Sequence, residues 1–130
     1  YLKDVKLVSL VLTKQVKIED VEMLMDALYR NVNIDDTLFI ASVDFSHYLD
    51  LDTAHKMDLI SMKAIQNNDI NKIMSFTNAN LDSPTSLTAM LEIMEKAGCS
   101  EKIPLNRSNS ELILKKRMEE TTSYITYLFY

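Results

Sequence analysis

The sequence predicts an α/β domain: a central mixed sheet with helices layered over it in an αβα arrangement. Three observations carry that expectation. Short runs of aliphatic and β-branched residues alternate with segments of helical spacing, one of those helices is sharply punctuated, and the carboxy-terminal stretch is dense in Thr, Tyr, Ile and Phe. At 130 residues, 47% of them hydrophobic, the chain is long enough for one core and short for two.

The elements follow in order. Val5 to Leu12 is an apolar, β-branched run that reads as a strand. Ile18 to Arg30 switches to a helical period, with Ile18, Val21, Leu24, Met25 and Leu28 on one face and Glu19 and Asp20 in the first turn, where the helix dipole favours carboxylates. Thr37 to Asp44 predicts a second strand. Thr53 to Asn68 predicts a second helix from Ala54, Met57, Ile60, Ser61, Ala64 and Ile65, with Asp50 and Asp52 as caps upstream. Asp69 to Phe76 predicts a short additional helix.

The third long helix is the best marked, with Ser83 as N-cap, Pro84 at its first position, a face of Leu87, Met90, Leu91 and Met94, and Gly98 just beyond its end. Strands are expected at Lys102 to Ser108 and Thr122 to Tyr130. Ser110 to Met118 between them fits either a helix or an irregular loop. The eight methionines sit mainly on helices at core spacing, which assigns them to packing.

Composition excludes several function classes. A net charge of -5 argues against a nucleic-acid backbone or an anionic membrane as partner, because both demand concentrated Lys and Arg. The Lys115-Lys116-Arg117 cluster is read as a solvated patch. One glycine is too few for a phosphate-cradling loop, which removes dinucleotide and P-loop readings. The lone Cys99 excludes an intrachain disulfide framework and multi-thiolate zinc sites, so a reducing cytoplasm is expected. No stretch approaches the roughly 20 apolar residues of a membrane span. The opening at Tyr1, running directly into an apolar segment, gives the expectation of a piece of a longer protein.

Chemistry concentrates in Asp44-Phe45-Ser46-His47-Tyr48, where a carboxylate, a hydroxyl and an imidazole meet at the end of an apolar run. Open α/β sheets keep ligand sites at strand ends. A carboxylate near a histidine can orient the ring as a general acid or base, and the alternative is an Asp that caps a turn beside a backbone-bonded His. The loop Asn80-Leu81-Asp82-Ser83-Pro84 offers Asp82 to a cation, or else Asp82 and Ser83 simply share the helix cap. His55 is read as a surface or core-edge histidine and Cys99 as an ordinary thiol.

The string Ile40-Ala41-Ser42-Val43-Asp44-Phe45-Ser46-His47-Tyr48 resembles the S-x-D-F-S-H-Y signature of the Memo-like family, whose bacterial and archaeal members are called AmmeMemoRadiSam system protein B. The helix with Ala54 and Asp58, the Asp82-Ser83-Pro84 helix start and Thr121-Thr122-Ser123-Tyr124 occur in the family's order. The resemblance covers most of the chain and corresponds to the carboxy-terminal half of a full-length member. It implies a fold and site position like those of class III extradiol dioxygenases, non-haem iron enzymes that open catechol rings. By motif, His47 matches their acid/base histidine, Asp44 lines the same pocket, and Asp82 stands where animal Memo proteins have a cysteine metal ligand.

A carboxylate in that position suits iron(II) better than a thiolate does. The family's other metal histidines lie in a His-Ala-Gly-like region that this sequence lacks, so tight metal binding by these 130 residues alone is not expected. Two functions are therefore carried forward. One is a wall of an iron-dependent, dioxygenase-like pocket. The other is a non-catalytic scaffold that binds protein or peptide and keeps a vestigial site. The family name implies association with AMMECR-type and radical SAM proteins, and exposed apolar surface would favour self-association.

Overall fold

The computed structural model describes residues 4–130. Its elements are α1 (Ile18–Asn31), a 3₁₀ turn (Ile34–Asp36), β1 (Phe45–Leu49), α2 (Leu51–Gln66), α3 (Ile70–Met74), α4 (Pro84–Lys96), β2 (Lys102–Asn109), α5 (Ser110–Leu114) and β3 (Thr121–Phe129). The α/β class is as the sequence predicts. The sheet differs from the mixed one expected: it is antiparallel, three-stranded, in the order β1-β3-β2.

The difference lies in the first two predicted strands. Residues 5–12 and 37–44 form no ladder among the described residues. The second run nevertheless keeps a strand's two-residue alternation: Phe39 and Ala41 pack against the α1/α4 core and Val43 against the other, whereas Leu38 and Ile40 are each 80% exposed. Leu7 and Val11 are 89% and 90% exposed. Continuous apolar runs of this kind suit strands covered on both faces. Here one face of the 37–43 run is covered and its backbone has no ladder partner, so the ladder begins only at Phe45.

The helices follow their punctuation. Asp50 caps α2 by accepting the Thr53 N–H at 3.0 Å, and Asp69 caps α3 by accepting the Lys72 N–H at 3.1 Å. Pro84 opens α4, and Gly98 follows its end at φ +79°, a left-handed conformation that costs glycine little. Ser83 departs from the expected capping role, since its hydroxyl pairs with that of Ser86 at 2.7 Å. The ambiguous 110–118 stretch is a short helix only over Ser110–Leu114, capped by Asn109 and closed by Lys115 at φ +50°, and is irregular beyond it. Pro104, which has no N–H to donate, stands on the edge strand β2 beside a register shift.

Two apolar clusters meet on α4. Leu87 and Leu91 join Phe45, Ala64, Ile65, Ile73, Phe76 and Leu81, while Ala89, Met90 and Ile93 join Val21 and Met25 of α1. Of the methionines, Met25 and Met90 are buried, and Met23 and Met118 are exposed, so packing accounts for only part of the set. A Lys96 to Asp26 contact of 2.7 Å ties α4 to α1 and holds the Asp26 carboxyl below its usual range. Its contribution is present above the ordinary carboxylate value and is lost as the pH falls through the lowered one.

Thr85 and Thr88 of α4 are fully buried, and their hydroxyls have no hydrogen-bond partner among the described residues. An unsatisfied buried hydroxyl costs about 1–3 kcal/mol relative to one that is paired. Thr88→Val removes the hydroxyl and keeps the shape. Urea unfolding should show a gain of about 1 kcal/mol.

Candidate functional site

β1 has backbone neighbours on both sides, and this arrangement builds the site. On one side, Phe45 and Leu49 pair with Ser123 and Thr121 of β3. On the other, the loop that leads into α4 runs antiparallel to the strand: His47 N–H donates to the Asn78 carbonyl at 2.9 Å, and Ser46 N–H to the Asn80 carbonyl at 3.0 Å. Phe45 bridges Leu81, and Asp82 N–H donates to the Asp44 carbonyl at 3.0 Å.

The Asp82 side chain completes this frame, with Oδ1 accepting the Asp44 N–H at 3.1 Å. Residues 38 apart in sequence are thus held by one backbone and one side-chain hydrogen bond. Asp82 is not a helix cap. Its carboxylate is turned toward β1, which leaves Ser83 and Ser86 to pair with each other. Both Asp44 and Asp82 are half-buried, and neither meets a Lys or Arg within ion-pair distance among the described residues.

His47 is half-buried on β1, and its Nδ1 lies 3.3 Å from the Thr122 hydroxyl of β3. Thr122, not Asp44, is the ring's hydrogen-bond partner. If Nδ1 carries the proton and donates to Thr122, Nε2 is left as a free base. The opposite tautomer makes Nε2 the donor. The His47 and Tyr48 rings are 5.6 Å apart.

Tyr48 has φ +57°, a left-handed conformation that costs a bulky residue of the order of 1–3 kcal/mol and clusters at functional sites. Beside it, Tyr48, Lys116, Arg117, Glu119, Thr121 and Thr122 line a cleft of about 610 Å³. The basic cluster is solvated, as expected, and Lys116 and Arg117 border ground adjoining the His47 partner Thr122.

The sequence-predicted trio is therefore gathered in part. Asp44 and Asp82 are joined directly, and His47 lies three residues along the same strand. The sequence puts the cluster at the end of a strand, whereas four of its five residues are inside β1. It also left unassigned the role of Thr122, although Thr121-Thr122-Ser123-Tyr124 stood out as a motif. His55 is exposed, in accord with its reading as a surface or edge residue, and Cys99 is half-buried and unpaired by disulfide.

Metal fit can be judged from the donors. No group of three or more His, Cys, Asp or Glu side chains able to hold an ion occurs among the described residues. Asp82 already spends one oxygen on the Asp44 N–H, so these residues do not close a coordination shell by themselves. No helix in the described residues is long and apolar enough to cross a membrane.

A protein-family model described as Memo-like protein matches residues 1–127. No curated protein matches the chain.

Proposed function

The chain belongs to the Memo-like protein family, and on that premise we propose that it supplies one wall of a dioxygenase-like pocket, with His47 as acid/base and Asp44 and Asp82 as its carboxylates. The observation that supports this reading is the double tie between Asp44 and Asp82, which brings the two candidate loops to one strand. A carboxylate and an imidazole are the donor types that suit iron(II). The remaining donors would come from outside the described residues, so no reaction step is routed through the metal.

His47 contributes a proton-handling group whose ring is positioned through Nδ1 by Thr122, leaving Nε2 to face a reactant. Asp82 contributes the carboxylate oxygen not used by the Asp44 N–H. Asp44 contributes a second carboxylate to the same wall. AMMECR-type and radical SAM proteins as partners, a cytoplasmic setting and self-association through the exposed apolar runs belong to the same proposal. The second reading, a non-catalytic scaffold, draws on the absence of a closed ligand set among the described residues.

Anaerobic equilibrium dialysis against iron(II) separates the two. The pocket reading expects weak, saturable binding that falls at least tenfold in Asp82→Ala and is retained in His47→Ala, because His47 handles protons and is not the metal donor. Binding unchanged by Asp82→Ala, or none at all in the folded wild-type chain, contradicts it.

A further inference from the structure

A second cavity, of about 280 Å³, is lined by residues of α2, β2, α5 and β3 and by neither Asp44, His47 nor Asp82. Ser46 of β1 reaches one of its lining residues, Asp58. Its hydroxyl lies 2.7 Å from Asp58 Oδ1 and 3.3 Å from the Ala54 carbonyl. Asp58 is only 3% exposed and lines the cavity. Its other oxygen, Oδ2, makes no hydrogen bond to the described residues, and no cation pairs with the carboxylate there. A carboxylate so deeply buried is costly unless charge or hydrogen bonds compensate it.

The compensating charge is present but held apart. Arg107 of β2 lines the same cavity and donates through Nη2 to His55 Nδ1 at 2.6 Å. Because guanidinium only donates, this nitrogen of His55 must be the acceptor and Nε2 carries the ring proton. Arg107 itself meets no carboxylate within ion-pair distance among the described residues. His55 and Asp58 are three apart on α2, about 5–6 Å between Cβ atoms. The cavity thus gathers two carboxylates, the buried Asp58 and the exposed Asp52, with the Arg107/His55 pair and the apolar side chains of Leu51, Ala54 and Leu112.

We propose that this cavity binds a short zwitterion, an ω-amino acid whose ammonium meets Asp58 and whose carboxylate meets Arg107. The ammonium supplies the hydrogen-bond donors and the charge that Asp58 lacks, and the bidentate guanidinium fork suits a carboxylate. A few methylenes between the charges would lie against Leu51, Ala54 and Leu112. The cavity is separate from the His47 wall, so this binding stands whether or not the dioxygenase-like reading does.

The test is titration of the ¹⁵N-labelled chain with glycine, β-alanine, γ-aminobutyrate and 5-aminovalerate, with propylamine and propionate as single-charge controls. Saturable shifts should centre on Asp58, Arg107 and Ser123, be tightest for the middle members of the series, and weaken at least tenfold in both Asp58→Asn and Arg107→Gln. Asp58→Asn keeps an oxygen acceptor for Ser46, and Arg107→Gln changes an exposed side chain. A thermal melt of each variant confirms folding. No saturable shift with any member overturns the proposal, as does binding that either folded variant leaves unchanged or that propylamine alone reproduces.

Discussion

Replacing Phe45 by Ala should destabilise the domain by about 3–5 kcal/mol, the usual cost of removing a buried aromatic ring. Phe45 is 3% exposed and packs in the cluster that contains Leu81, Leu87 and Leu91. It also bridges Leu81 and pairs with Ser123, so it stands where β1, β3 and the loop before α4 converge. Against a typical total stability of about 5–15 kcal/mol, that loss is a large fraction. Urea unfolding should show it as a lower midpoint, and Phe45→Leu should restore most of it because volume is nearly kept. A loss under about 1 kcal/mol for Phe45→Ala would mean that the strand is not anchored by this side chain.

Asp82→Ala should cost about 1.5–3 kcal/mol, the range for a hydrogen bond to a charged group, since the half-buried Asp44 N–H loses its acceptor. Asp82→Asn keeps an oxygen at that position and should cost much less. The pair of variants separates the frame from the chemistry. If Asp82 only braces β1, Asn replaces it in every assay. If it is also a metal donor, Asn restores stability while iron(II) binding stays weak, because a neutral amide is a poorer ligand than an anionic carboxylate for a divalent cation.

How much of this was legible in the sequence depends on how local each signal was. The limits of α4 are written in Pro84 and Gly98, and the start of α2 in Asp50, because caps and turns are set by neighbours in the chain. The second predicted strand was placed at residues 37–44, yet the ladder occupies 45–49. Apolar periodicity reports which side chains face a core, and it does not report which backbone will find a partner. Phe39, Ala41 and Val43 face the cores, whereas Leu38 and Ile40 of the same apolar run are exposed, so the run is not the fully buried strand that its composition suggests.

The site follows the same division. Asp44, His47 and Asp82 were identified as residues, but the hydrogen bonds that relate them join positions 38 and 75 residues apart. No local pattern encodes such a register. Asp58 shows the limit most plainly, because its helical position between Met57 and Leu59 gives no hint that it is buried against Ser46. Besides its place with Ala54 in the helix that occurs in the family's order, the signal was an acidic residue spaced four from Ala54 on the packed face of α2, a place where a carboxylate is unusual.

Asp44, His47 and Asp82 are proposed as one wall of one pocket. Paramagnetic line broadening by Mn²⁺, followed residue by residue in the labelled chain, tests it most directly because it locates a weakly held ion without requiring a closed shell. Broadening concentrated on residues 44–48 and 80–83, and lost in Asp82→Ala, is the predicted result. Broadening that is uniform over the acidic surface, or centred elsewhere and indifferent to Asp82, would contradict it.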